Sequence, residues 1–139
     1  MHITRNTLET GAGPADWFTG SVYIDTITAP GDESPSAPPP STPRPARIAW
    51  HTHPRGQTIW VTEGVGLCQR EGGPIEVIRP GDRVFFEPGE NHWHGAAPTR
   101  LMTHVAIHEA DENGQPVDWG RHVSEEEYAQ APSLEEGRR

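Results

Sequence analysis

The sequence predicts an all-β fold, a barrel or sandwich of short strands. Short runs with apolar residues at alternate positions recur along the chain, turns rich in Gly and Pro separate them, and only one helix signal is present. The first predicted strand covers 21–28, with Val22, Ile24 and Ile27 as its apolar positions. Further strands are predicted over 47–53, 58–62, 65–70, 75–78, 83–87 and 101–109. Glu63-Gly64, Glu71-Gly72-Gly73-Pro74, Arg79-Pro80-Gly81-Asp82, Glu87-Pro88-Gly89-Glu90 and Asn113-Gly114 mark the turns between and after them. The helix begins at Ser124, whose hydroxyl can cap it, and Glu127 three residues later completes a capping box, with Tyr128 as the apolar contact.

A length of 139 residues fits one domain, here expected over 1–130, with 131–139 a disordered tail. The formal charge is −9, from 20 acidic and 11 basic side chains. Such a surface repels phosphate backbones and anionic lipid, so nucleic acid and membrane are excluded as expected partners. Residues 1–10 lack the apolar centre of a signal peptide, and no window approaches the roughly 20 apolar residues of a membrane helix. Cys68 is the only cysteine and lies in a strand-like run, where a packed, inert thiol is expected. No intramolecular disulfide can form, and the expected location is cytoplasmic.

The stretch 30–46 departs from the pattern. It holds Pro30, Pro35, Pro38, Pro39, Pro40, Pro43 and Pro45 among Asp32, Glu33, Ser34 and Ser36. Proline donates no backbone hydrogen bond, so a central strand is disfavoured and an inserted flexible loop is expected, with an edge strand or polyproline segment as the alternative.

The histidines carry the chemistry. His51 and His53, at i and i+2, project from one face of a strand and can chelate one ion. Pro54, Arg55 and Gly56 then turn the chain and bring Gln57 to the same rim. His92 and His94 share a face after the turn at Gly89, and His104 and His108 share one with Met102 and Ala106, while Thr103, Val105 and Ile107 point away. Inward and outward residues alternate along a barrel strand, so five histidines could line one cavity. A lone strand histidine is more often a hydrogen-bonded wall residue, but paired histidines beside Gly/Pro turns favour a metal site, imidazole being the commonest metal ligand.

The order His51-x-His53-x3-Gln57-x6-Gly64, then Pro80-Gly81-Asp82, Gly89 and His92, resembles the two motifs of the cupin superfamily. The strings over 13–20, 49–54 and 92–99, together with Met102-Thr103-His104 and Val117-Asp118-Trp119, resemble more narrowly the manganese-dependent bacterial hydroxynitrile lyases of cupin fold and their small-cupin relatives. The resemblance implies a jelly-roll β-barrel with one short C-terminal helix. It also implies a metal held by His51, His53, Gln57 and His92, and a catalytic base at His104. Gln57 stands where most cupins have glutamate, although the lyase subgroup also has glutamine there. Pro38 to Pro45 stand where the lyases have an apolar strand that forms one pocket wall.

That ligand set leaves the full divalent charge on the ion and about two octahedral positions free, which suits Mn, Fe, Co or Ni better than a closed tetrahedral Zn site. The expected cofactor is therefore one divalent transition ion per chain, Mn first, with Fe, Ni, Co or Zn as alternatives. A neutral His104 would take the hydroxyl proton of a cyanohydrin as C–C cleavage releases a carbonyl compound and cyanide, with a base worth roughly 10²–10⁴-fold. The alternative for His104 is to fix a ligand's tautomer. His94 and His108 complete the candidate catalytic group as wall or supporting residues. Arg55 could meet an anionic substrate or simply face solvent, and Trp50, Trp60 and Trp93 are expected to pack behind the site. The expected function is a lyase acting on a small molecule. The alternatives are a cupin dioxygenase or another metal-dependent C–C bond-cleaving enzyme, and a non-catalytic module that binds metal or ligand. A homo-oligomer, dimer or tetramer, is expected, with Trp17 and Phe18 available for apolar contact.

Overall fold

The computed structural model describes residues 1, 3, 10–27, 40–42 and 46–135, with 40–42 described by their backbone alone. The strands are β1 (Gly11–Ala12), β2 (Phe18–Thr19), β3 (Tyr23–Ile24), β4 (Pro40–Thr42), β5 (Arg47–Ile48), β6 (His51–Thr52), β7 (Gln57–Gly64), β8 (Gly66–Arg70), β9 (Glu76–Ile78), β10 (Arg83–Phe86), β11 (His92–Ala96), β12 (Met102–His108) and β13 (Asp118–Trp119). One helix, α1 (Glu125–Tyr128), follows.

They form two antiparallel sheets. One runs β1-β3-β4-β12-β7-β10 and the other β13-β6-β11-β5-β2, with β8 on the free edge of β11 and β9 on β8. The main core lies between them. Ile59 and Val61 of β7, Phe86 of β10, and Met102 and Ala106 of β12 meet Cys68, Ile78 and Ala96 from the second sheet. Alternation along β12 follows the sequence pattern: Met102, His104 and Ala106 are buried, whereas Ile107 is exposed. Two inward-facing sheets of this kind make the jelly-roll barrel.

A second cluster covers the back of the β11 sheet, where Trp50, Leu67 and Trp93 pack with Val123 and Tyr128. The helix forms as its capping residues dictate: Ser124 accepts from the Glu127 amide, and the Glu127 carboxylate accepts from the Ser124 amide. Buried Arg47 holds it down, donating to the Val123 carbonyl and Glu125 and lying 4.4 Å from the centre of the Tyr128 ring.

Several expectations need correction. The disfavoured strand in the proline-rich stretch exists in part. Pro40–Thr42 pairs on one side with Tyr23-Ile24 and on the other with Met102-Thr103. Proline is tolerated at the first position of a strand, where Pro40 sits. The rest of that stretch, 30–39 and 43–45, lies outside the described residues. The predicted strand 47–53 is broken at Ala49-Trp50, because Ala49 N–H donates to the Trp17 carbonyl and Trp50 exchanges backbone hydrogen bonds with Arg121 and Gly120. The predicted disordered tail is seated as far as Leu134: Ala131 and Leu134 pack on the second cluster, and Arg79 donates to the Leu134 carbonyl at 2.7 Å. Trp50 and Trp93 are buried as expected, but Trp60 is 50% exposed, because it alternates with the inward Ile59 and Val61.

Candidate functional site

His51, His53 and His92 converge at one end of the barrel. β6 and β11 pair with His51 opposite His92, which brings the two sequence motifs into register. The turn after His53 is closed by Gly56 N–H donating to the His53 carbonyl at 3.2 Å. Gly56 takes φ +77°, and a Cβ there would sit 2.7 Å from the Phe86 carbonyl oxygen, so glycine is required. That turn starts β7 at Gln57. The Gly89 amide also donates to the His53 carbonyl, at 3.0 Å, tying the turn before His92 to the first motif.

The tautomers follow from the hydrogen bonds. Nδ1 of His51 donates to the Ala49 carbonyl at 2.7 Å, Nδ1 of His53 to the Pro116 carbonyl at 2.8 Å, and Nδ1 of His92 to the Glu90 carbonyl at 2.8 Å. A carbonyl only accepts, so each Nδ1 carries the proton and each Nε2 carries a lone pair. One ligand atom from each ring lies within 4.8 Å of the others. Among the described residues, Nε2 of His51 and of His53 are buried without a partner. Nε2 of His92 faces Gln57 Oε1 at 3.1 Å. Burial keeps these rings neutral: desolvation lowers His51 well below its ordinary range, lowers His53, and brings His92 to about 4. Three buried, unprotonated nitrogens aimed at one point form a donor set that could hold a metal ion. Phe86 stacks on His92 at 3.7 Å and fixes its plane.

A cavity of about 210 Å³ opens beside this cluster, and five histidines line it: His51, His53, His94, His104 and His108. His104 is 1% exposed, and neither of its ring nitrogens has a partner among the described residues. Desolvation brings it to about 4, so it is unprotonated at neutral pH. His94 sits edge-to-face on it, with ring centres 4.9 Å apart, and its Nε2 is also unpartnered among the described residues. His108 stacks on His53 at 4.4 Å. All seven residues picked from the sequence are thus gathered at the cluster or the cavity wall. Arg55 is not among the lining residues, and it pairs with Glu109 at 3.4 Å on an exposed rim. Cys68 is buried, with burial pushing its thiol up to about 12, as an inert packed cysteine requires.

The apolar wall was not assigned from the residues. Trp119 lies 5.2 Å from His51 and stacks on Trp17 at 4.8 Å, with Phe18 at its edge. Trp17 and Phe18 therefore line the cavity. Strands of two residues carry no periodicity, and only the strings at 13–20 and 117–119 marked these positions.

Comparison with known proteins agrees with this architecture. The sequence model of a family described as Cupin domain matches residues 41–107. An (R)-mandelonitrile lyase from Granulicella tundricola is 57% identical over 130 residues, which cover 92% of this chain and 98% of that protein. The solved structure of a cupin-like protein from Thermotoga maritima superposes with a TM-score of 0.81 at 34% identity, covering 94% of this chain and 99% of that one. The polyketide cyclase RemF from Streptomyces resistomycificus, at 19% identity, shares the fold with a TM-score of 0.67 over 95% of each chain.

Proposed function

This chain belongs to the cupin family, and from that premise we propose that it is a metal-dependent lyase of the hydroxynitrile-lyase type, cleaving a cyanohydrin to a carbonyl compound and cyanide. The observation that carries the reading is the placement of an unpartnered, unprotonated His104 in the cavity that also exposes His51 and His53. The (R)-mandelonitrile lyase relative supports it over nearly the full chain.

His51, His53, Gln57 and His92 are proposed to hold one divalent transition ion, manganese. The donors fit, since three Nε2 lone pairs and a carboxamide oxygen meet without a proton between them. All four are neutral, so a bound ion keeps its full charge and supplies Lewis acidity toward a substrate oxygen. His104 takes the hydroxyl proton at a ring nitrogen. The C–C electron pair leaves with cyanide, the carbonyl double bond forms, and the imidazolium returns the proton to cyanide. His94 braces the His104 ring. Trp17, Phe18 and Trp119 shut out water and offer flat apolar faces to the carbonyl-derived part of the substrate. Cyanide release from mandelonitrile by manganese-loaded protein, with spontaneous decomposition subtracted, tests the reading, and oxygen uptake in its place would favour the dioxygenase alternative.

We also propose a homo-oligomer in the cytoplasm. Trp60, Phe85 and Ile107 stand exposed on three neighbouring strands of the first sheet, a face suited to a second copy. Sedimentation showing only monomer at micromolar concentration would contradict this. No helix among the described residues is long and apolar enough to cross a membrane.

A further inference from the structure

Gln57 presents a choice that a glutamate would not. A carboxylate has two equivalent oxygens, whereas a carboxamide has an oxygen with lone pairs at one end and an –NH2 without them at the other. Only the oxygen can serve a metal, the –NH2 can only donate, and the two ends differ little in size. What meets the far end of the amide decides which way it turns.

Here that partner is His108. β7 and β12 pair with Gln57 directly opposite His108, so both side chains leave the sheet on the inner face as cross-strand neighbours. Gln57 Nε2 donates to His108 Nδ1 at 3.5 Å, while Gln57 Oε1 points to His92 Nε2 at 3.1 Å. The same His108 ring stacks on His53, with centres 4.4 Å apart and planes 29° apart. One imidazole thus touches two of the four residues proposed to hold the ion.

We propose that His108 is a positioning residue for the metal centre. Its unprotonated Nδ1 accepts from the Gln57 amide and so commits Gln57 Oε1 to the cluster of Nε2 atoms. This rests on the reading of His51, His53, Gln57 and His92 as a metal centre. The accepting nitrogen requires the Nε2–H tautomer of His108, opposite to that of His51, His53 and His92, whose Nδ1 atoms all donate to carbonyls. Without an acceptor at this point the amide is free to turn over and offer –NH2 to the centre, which cannot ligate.

The test compares manganese affinity in the wild-type chain, His108→Asn and His108→Phe, by competition with a chelator, with folding checked by circular dichroism. Asparagine places its Oδ1 near the position of Nδ1 and keeps the acceptor, whereas phenylalanine keeps the stack on His53 and removes it. His108→Phe should bind manganese about 10–100-fold more weakly, the usual scale for a residue that orients a ligand. His108→Asn should remain close to wild type. Equal affinity in all three chains would overturn the proposal, and so would a loss in His108→Asn as large as that in His108→Phe, which would mean that keeping the acceptor does not keep the metal. Nitrogen-15 NMR of the wild-type chain loaded with diamagnetic zinc gives an answer that needs no variant to fold. An unprotonated Nδ1 at His108 is expected, and a protonated one would overturn the proposal. If the wild-type chain binds no manganese or zinc, the metal centre itself falls and takes this inference with it.

Discussion

His92 Nε2 and Gln57 Oε1 face each other at 3.1 Å, and both facing atoms carry lone pairs, because the His92 proton is on Nδ1 and is given to the Glu90 carbonyl. Two acceptors at that distance repel, and a cation shared between them turns the contact favourable. Nε2 of His51 and His53 point into the same space under the same constraint.

Removing one of these nitrogens should therefore remove the ion. His53→Ala and His92→Ala should each lose most bound metal, with activity lost in parallel, as elemental analysis after reconstitution with manganese would show. Retention of one ion per chain in both variants would place the metal elsewhere.

His104 should separate binding from chemistry. His104→Ala should keep the metal and lose about two to four powers of ten in turnover, the scale of general base catalysis. Loss of metal in this variant would make His104 a ligand. Unchanged turnover would leave it a wall residue.

Gln57→Glu should also keep the metal, since a carboxylate oxygen ligates as well as a carboxamide oxygen. Activity should fall, because the added negative charge opposes build-up of negative charge on the substrate oxygen nearby. Turnover at or above wild type would show that the neutral ligand has no such part.

Acid should weaken the metal-free fold. His92, His104 and His108 sit at about 4 in the folded chain, against an ordinary value of 6.5, chiefly through desolvation. The unfolded chain therefore binds more protons between those two values, and stability falls as pH drops through that window. Above about 6.5 the three groups are neutral in both states and contribute no slope. Glu127, held at about 2 by Arg121 first and its cap bonds next, adds a loss only below its ordinary 4.5. Calorimetry of metal-free protein should show a melting temperature nearly flat from pH 8 to 7 and falling from 6.5 to 4.5. A flat profile across that lower range would contradict the burial of neutral imidazoles.

Much of the site was legible because its spacing is local. The i, i+2 pairs at 51/53 and 92/94, and the alternation from Met102 to His108, translate directly into shared faces, and Gly56 and Gly89 mark the turns that bring them together. The helix was legible for the same reason, since Ser124 and Glu127 cap it within four residues. The tautomers were not, because they depend on the carbonyls of Ala49, Pro116 and Glu90, which no side-chain pattern encodes. Nor was the aromatic wall of Trp17 and Trp119, which is assembled by two-residue strands far apart in the chain. The strand Pro40–Thr42 was missed because its place in the sheet is fixed by partners on both sides, against its own composition.

The most direct test is a titration of metal-stripped protein with manganese, reading cyanide release from mandelonitrile and bound metal together. Turnover should rise linearly with bound manganese, level off at one ion per chain, and vanish on adding a chelator. One bound ion per chain with no cyanide released above the spontaneous rate would contradict the lyase function and leave only the metal centre standing.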